Sequence, residues 1–284
     1  MVYSNTLRQK ESEQSPGGAI PPRVSSSLKH RQLSRSKIEL FLECPRCFYD
    51  DVAQNRHRPS GPPFTLNNAV DALLKAEFDL YRAAGTPHPI FASVGLEAIP
   101  LAHPQINQWR ANRVGVRWKD AVTDWALYGA IDDAWETAAH TVLVADYKAT
   151  ARRDEVTEAN LYPGYKRQVE VYQFLLEQQG LIVEPRAYFV YANGISSGRA
   201  FGGTLTFRTT LLPYDADHSW VLGTFRAAVS LIRNGARPVS ADTCQWCQYV
   251  ARTSEETTHP VALGRETPSY LKHVEEFGCS KFSG

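Results

Sequence analysis

The sequence lacks three features that would place it in other functional classes. No run of about 18 apolar residues is present, so no transmembrane helix is predicted. The N-terminal region has no apolar signal core, which predicts a cytoplasmic protein. The phosphate-binding motif G-x-x-x-x-G-K-[ST] is also absent, so any helicase motor that works with this protein must be a separate chain.

Cysteine is scarce and the net charge is close to zero. The chain of 284 residues has five cysteines, which in a reducing compartment suit metal binding better than a disulfide framework. The formal net charge of +1 neither predicts nor excludes a nucleic-acid partner, because a local basic strip can lie within a neutral total. A hydrophobic content of 43% predicts a packed core, and the length suits one sizeable domain, with or without appendages.

The most informative stretch lies near the middle of the chain. Two short apolar runs, Trp125–Ile131 and Thr141–Ala145, each end in acidic residues and flank a polar turn, a pattern typical of a β-hairpin. Asp146 and Lys148 are two residues apart on one strand, so their side chains share a face. Asp132, on the neighbouring strand, can reach that face.

Two carboxylates and one ammonium group in one place suit phosphodiester hydrolysis. Carboxylate oxygens can hold Mg²⁺, which generates hydroxide and neutralises the phosphate, while the ammonium positions the nucleophile or the leaving charge. The spacing alone leaves open a second interpretation, in which this is a solvated hairpin with a surface ion pair.

The same stretch resembles the PD-(D/E)xK nuclease superfamily, specifically its RecB-like branch. That branch has the pattern G-x-I-D, then a spacer, then D-Y-K, and here Gly129 and Asp132 are followed by Asp146 and Lys148. The resemblance implies that Asp132 and Asp146 bind Mg²⁺ or Mn²⁺ and that Lys148 is the catalytic lysine. Asp133 would point away from this face and is a weaker candidate.

The resemblance extends to a Gln-x-x-x-Tyr motif on the following helix. Gln168 and Tyr172 match it, and their i, i+4 spacing stacks them on one helix face. The resemblance implies that these two residues help to place a DNA strand.

An earlier helix offers a further metal ligand. An amphipathic helix is predicted from Thr65, with Gly85 at its end. In the family this helix carries a histidine or another polar residue that faces the metal, and the matching position here is Asp71. The alternative is a surface ion pair between Asp71 and Lys75. Glu97 occupies a position where many members have a further acid, and it is a weaker candidate.

Four of the cysteines form two C-x₂-C knuckles, Cys44 with Cys47 and Cys244 with Cys247. Thiolates at this spacing chelate one ion or cluster, so the pattern predicts a Cys₄ site. The segment around Cys44 also resembles the opening motif of cluster-bearing RecB-like nucleases, such as the CRISPR adaptation nucleases and the AddB helicase-nucleases. That resemblance favours a 4Fe–4S cluster.

The distribution of the cysteines leaves Zn²⁺ as an alternative. The cluster-bearing relatives have one cysteine before the nuclease core and three after it, whereas this chain has two on each side. In either case we predict a structural clasp that ties the first helix to the C-terminal segment and encloses the core. Cys279, alone in the tail, is predicted to be a thiol that binds no metal.

The resemblance covers Leu33 to Cys247 and implies an α/β, restriction-endonuclease-like core with a mixed central β-sheet flanked by helices. Further strands are predicted at Ala187–Tyr191 and Thr204–Thr209. Trp109 and Trp118, which alternate with basic residues, form either a base-stacking surface or part of the core. The predicted boundaries are a disordered leader at 1–32, a nuclease domain at 33–250 and a tail at 251–284.

Together these features predict a metal-dependent DNA nuclease that acts in repair, recombination or defence. The expected substrate is single-stranded DNA or duplex ends, and the expected activity is exonucleolytic. The alternative is a catalytically inactive nuclease fold that binds DNA or recruits a helicase or recombination partner, which the replacement of the family histidine by Asp71 supports. A third interpretation is a zinc-ribbon-like interaction module.

Overall fold

The computed structural model describes residues 29–61 and 65–258, except for the side chains of 255–258. The chain divides into two units, Met1–Val239 and Ser240–Gly284. Most of the predicted leader and tail, and Cys279 with them, lie outside the described residues. No described helix combines the length and the apolar character needed to cross a membrane.

The first unit contains both strands and helices. Its strands are β1 (Gln32–Ser34), β2 (Ala98–Pro100), β3 (Val116–Asp120), β4 (Trp125–Gly129), β5 (Asp133–Thr137), β6 (Val142–Thr150), β7 (Arg186–Gly194) and β8 (Phe207–Asp215). Its helices are α1 (Arg35–Glu43), α2 (Pro45–Val52), α3 (Thr65–Ala84), α4 (Ile106–Trp109), α5 (Pro163–Glu177) and α6 (Trp220–Asn234), with 3₁₀ turns at Pro89–Val94 and Glu158–Asn160. In the second unit, the described chain forms helix α7 (Gln245–Thr258).

The strands form two mixed sheets. The larger has the order β2-β5-β6-β7-β8, in which only β6 and β7 are parallel neighbours. The smaller has the order β1-β4-β3, with β1 parallel to β4. Helices pack against these sheets, so the predicted α/β class with mixed sheets flanked by helices is confirmed.

Strand β6 is buried on both faces of the larger sheet. Val142 and Val144 belong to the apolar cluster that includes helix α5. Leu143, Ala145 and Tyr147 belong to a second cluster, on the opposite face, that includes helix α3. Successive side chains of a strand point to opposite faces, so a strand covered on both sides is apolar at nearly every position, as this one is up to Ala145.

The predicted hairpin is wrong in one of its two strands. Strand β6 pairs with β5, from Asp133 opposite Ala145 to Glu136 opposite Val142. The apolar run that begins at Trp125 instead forms β4, which pairs with β1 and β3 in the smaller sheet. The prediction failed because β5 begins with a charged residue and is not a clear apolar run. The clearest apolar run before the turn at 138–141 is β4, which belongs to the smaller sheet.

The structure corrects the bounds of one further strand and decides between the two interpretations of the tryptophans. The last strand begins at Phe207 rather than Thr204 and continues through Pro213, which is tolerated because β8 is an edge strand. The tryptophans belong to the core, as one of the two interpretations expected, and do not form a base-stacking surface. Trp109 is 2% exposed, and Trp118 packs edge-on against Phe174 in the core.

A buried carboxylate joins the two central strands of the larger sheet to helix α3. Asp133 is fully buried and lies against the guanidinium of Arg82. It also accepts hydrogen bonds from the Tyr147 hydroxyl (2.7 Å) and the Trp135 indole N–H (3.3 Å). Burial of a charge is tolerated when it is paired and hydrogen-bonded, and here β5 itself, β6 and helix α3 each supply one of these partners.

We expect Asp133→Ala to lower the free energy of unfolding by about 3–5 kcal/mol, because it removes the buried one of the two carboxylates that pair with Arg82 and also the acceptor of the Tyr147 hydroxyl and the Trp135 indole N–H. Urea unfolding measures this change. The matched control is Asp215→Ala, which removes an exposed pair with Arg186 and should cost less than about 1 kcal/mol. Equal losses for the two variants would contradict a central role for Asp133.

Candidate active site

Three predicted residues converge where the two sheets meet. Asp132 lies in the short link between β4 and β5, and Asp146 and Lys148 lie in β6. The ammonium of Lys148 contacts Oδ2 of Asp146. The backbone N–H of Tyr147 donates to Oδ2 of Asp132 (2.9 Å), which fixes that carboxylate beside β6.

Strand alternation separates these groups from their neighbours in sequence. The side chain of Tyr147 turns to the opposite face, where its hydroxyl binds Asp133. Asp133 therefore lies off the face that carries Asp146 and Lys148, as the sequence predicted. Glu97 is exposed just ahead of β2, and β2 pairs with the half of β5 farther from Asp132, so the structure does not bring Glu97 into this site.

The two carboxylates have opposite electrostatic behaviour. Burial, reinforced by repulsion from Asp132 and only partly offset by Lys148, raises the pKa of Asp146 to about 7. Burial would also raise the pKa of Asp132, but Lys148, Lys75 and the backbone N–H of Tyr147 outweigh it and lower that pKa. The chain therefore balances the charge of Asp132 much better than that of Asp146.

Asp146 is the least satisfied group of the site. It is fully buried, the ammonium of Lys148 contacts its Oδ2, and its Oδ1 has no hydrogen-bond partner among the described residues. Its charge has one direct ion-pair partner, Lys148. A buried carboxylate in this state is costly unless a further cation joins it.

Helix α3 adds a second ammonium group that the sequence interpretation missed. Nζ of Lys75 lies 2.8 Å from Oδ2 of Asp71 and 3.2 Å from Oδ1 of Asp132, so it bridges the two carboxylates. Attraction to Asp132 and Asp71 exceeds the effect of burial and raises the pKa of Lys75, which keeps it charged. The i, i+4 pair expected on the helix surface is present, but it faces the site.

Helix α5 contributes Gln168 and Tyr172, both buried. Its first residue is Pro163, which suits a first helical position because its backbone has no N–H to satisfy. Nε2 of Gln168 donates to the Tyr172 hydroxyl at 3.0 Å. A Cβ atom at position 129 would lie 2.8 Å from Cε1 of Tyr172, so the glycine of the G-x-I-D pattern allows the ring to approach β4.

Tyr165 is a further residue that the sequence analysis missed. Nζ of Lys148 lies 4.5 Å from the centre of its ring, a cation–π contact. Lys148 is thus held between the Asp146 carboxylate and an aromatic face. The only available signal was the position of Tyr165 three residues before Gln168 on the same helix.

These groups surround one open cleft of about 540 Å³. Residues of helices α3 and α5 and of the carboxyl-terminal half of β6 line much of it. The residues lining it are Arg35, Asn67, Asn68, Val70, Asp71, Leu74, Lys75, Asn112, Asp132, Tyr147, Lys148, Ala149, Tyr165 and Gln168. The cleft gives solvent and ligands access to Asp132 and Lys148, with Asp146 buried behind them.

The four knuckle cysteines form a group of their own. Cys44 and Cys47 lie in the first unit and Cys244 and Cys247 in the second, and the four thiols are a set that could hold a metal ion. Four cysteine sulfurs are a suitable ligand set for a metal ion or cluster.

Comparison with known protein families identifies the family of the chain. The sequence model of the PD-(D/E)XK nuclease superfamily matches residues 32–252, which is most of the chain. No curated protein matches the chain.

Proposed function

Because the chain belongs to the PD-(D/E)XK nuclease superfamily, we propose that it is a metal-dependent deoxyribonuclease of the RecB-like branch. In this proposal Asp132 and Asp146 hold Mg²⁺ or Mn²⁺, and the substrate is single-stranded DNA or a duplex end cut exonucleolytically. The observation that carries the proposal is the buried carboxylate of Asp146 beside Asp132, for which Lys148 is the one ion-pair partner among the described residues.

The donor set suits a hard divalent cation. Mg²⁺ and Mn²⁺ prefer oxygen ligands, and the two carboxylates supply them. A cation there would also compensate the charge of Asp146, for which the described residues offer only Lys148. When bound, such an ion supplies a hydroxide nucleophile and neutralises the phosphate.

Lys148 is proposed to act on the reacting groups directly. Its ammonium is fixed between Asp146 and the ring of Tyr165, and the side chain lines the open cleft. From this position Nζ can orient the attacking water or stabilise charge on the leaving oxygen. Gln168 also lines the cleft and is proposed to hold the DNA strand, with Tyr172 fixing its amide.

Asp71 is proposed as a third metal ligand. In this structure the ammonium of Lys75 lies between Asp71 and Asp132. A divalent cation held by both carboxylates would replace that ammonium, since both compete for the same negative charge. The ammonium of Lys75 should therefore compete with the metal for the two carboxylates and weaken metal binding.

We expect Lys75→Met to bind Ca²⁺ or Mn²⁺ about tenfold more tightly, because the competing ammonium is removed, and Asp71→Asn to bind about tenfold more weakly. Isothermal titration calorimetry without DNA measures both. If Asp71→Asn binds the ions as the wild type does, then Asp71 serves only to hold Lys75 and is not a ligand.

The nuclease activity itself is tested on end-labelled DNA. Wild-type protein, purified without oxygen, should degrade single-stranded or duplex DNA with Mg²⁺ or Mn²⁺, and the label pattern gives the polarity. Lys148→Ala and Asp146→Ala should each lower the rate by at least about a hundredfold, since each removes a group proposed to act at the reacting phosphate.

Asp154→Ala is a suitable control, because Asp154 is exposed and does not line the cleft. It should retain the wild-type rate. Wild-type protein that binds DNA but leaves it intact with either metal would contradict the proposal and favour an inactive fold that recruits a helicase or recombination partner.

We propose that Cys44, Cys47, Cys244 and Cys247 hold a structural metal centre, a 4Fe–4S cluster as the resemblance implies or Zn²⁺ as the alternative. A thiolate set of this kind accepts either. In both cases its proposed role is the clasp predicted from the sequence, and no step of the hydrolysis depends on it.

Elemental analysis of the anaerobically purified protein tests this site. We expect about four iron and four sulfide per chain, with a broad visible absorbance, and loss of both in Cys47→Ser. Cys279→Ser, outside the predicted ligand set, should keep them. One zinc per chain would overturn the cluster in favour of the alternative, and a protein with neither metal would contradict the site.

A further inference from the structure

A second cleft, of about 400 Å³, opens at the carboxyl ends of the parallel strands β6 and β7. It is separate from the cleft that contains the candidate catalytic residues, and no residue lines both. The residues lining it are Arg152, Arg153, Asn193, Gly194, Ile195, Ser196, Ser197 and Arg208.

The cleft is strongly basic. Three of its eight lining residues are arginines and none is acidic. In the part of the chain that the structure describes, no carboxylate pairs with Arg152, Arg153 or Arg208, and all three are exposed. Other arginines of the fold, such as Arg82, are held by carboxylates and have structural roles.

The backbone of the cleft is fixed although its guanidinium groups point to solvent. Nδ2 of Asn193 donates to the carbonyl oxygen of Arg152 at 3.0 Å, which holds the residues after β6 against β7. Arg208 lies on β8 directly opposite Asn193. Arg152 and Arg153, which follow β6, and Arg208, on β8, therefore place three positive charges around the side-chain amide of Asn193. Ser196 and Ser197 line the same cleft.

The same strand leads from the candidate catalytic lysine to this cleft. Lys148 and Ala149 line the first cleft, and Arg152 follows four residues after Lys148, a distance of at most about 14 Å along the chain. A polyanion that has one phosphate beside Lys148 can therefore reach the arginines with a neighbouring phosphate.

We propose that this arginine cleft, formed by Arg152, Arg153 and Arg208, binds backbone phosphates of a single nucleic-acid strand whose scissile phosphate lies beside Lys148. Guanidinium groups and hydroxyls are typical phosphate ligands, and the volume admits a group of about the size of one nucleotide rather than a duplex. The proposal rests on the proposed nuclease function and extends it, because it specifies where the strand continues beyond the reacting phosphate.

The test measures binding of a fluorescent single-stranded oligonucleotide, with Ca²⁺ in place of Mg²⁺, over a series of salt concentrations. The double variant Arg152→Ala/Arg153→Ala and the single variant Arg208→Ala should bind at least about tenfold more weakly at low salt. Each lost phosphate contact should also reduce the slope of log affinity against log salt by about 0.7. A merely structural role would not change that slope.

Arg186→Ala is the charge-matched control. Arg186 lies at the opposite end of β7, in an exposed pair with Asp215, and its loss should leave both affinity and slope at wild-type values. The proposal is overturned if the cleft variants keep the wild-type slope, or if the control changes it equally.

The same variants separate this proposal from the nuclease proposal. DNA cleavage by the wild type, combined with unchanged binding in the cleft variants, would remove the arginine cleft and leave the nuclease intact. Binding that depends on the three arginines, combined with no cleavage under any metal, would remove the nuclease and leave a nucleic-acid-binding cleft.

Discussion

The site depends on the alternation of side chains along strand β6. Asp146 and Lys148 point to the face covered by helix α5, whereas Tyr147 points to the face covered by helix α3 and holds Asp133. Successive side chains of a strand alternate between its two faces, and this alternation separates the adjacent polar groups. A shift of one residue would turn Asp146 and Lys148 into an apolar cluster, so strand register and site geometry are fixed together.

The distribution of charge then divides the acids by role. Asp133 forms an ion pair with Arg82 and accepts hydrogen bonds from Tyr147 and Trp135, so partners inside the protein compensate its charge. Asp146 is equally buried but has only Lys148, and its raised pKa reflects that imbalance. An acid whose charge is incompletely compensated beside a cleft is a common feature of functional sites, because a bound ligand can supply the missing positive charge. This contrast is the physical basis for proposing a cation at Asp132 and Asp146.

Motifs predicted more of this protein than periodicity did. The order of G-x-I-D, D-Y-K and Gln-x-x-x-Tyr identified residues that the structure brings to one place, and helices such as Thr65–Ala84 were recognised from their apolar spacing. The pairing of β5 was missed, because one sheet ends and the next begins within a few residues and local pattern carries no information about the partner strand. Lys75 and Tyr165 were missed because their contacts with Asp132 and Lys148 are made between elements distant in sequence. The catalytic roles, the domain boundaries and the cytoplasmic location stay predictions.

The most direct measurement is a crystal structure of the protein soaked with Mn²⁺, with anomalous scattering used to locate the ion. The proposed function predicts an anomalous peak bounded by the carboxylates of Asp132 and Asp146, and its disappearance in Asp146→Ala. A structure at saturating Mn²⁺ with no peak between these carboxylates would contradict the central claim, whatever nuclease activity the preparation shows.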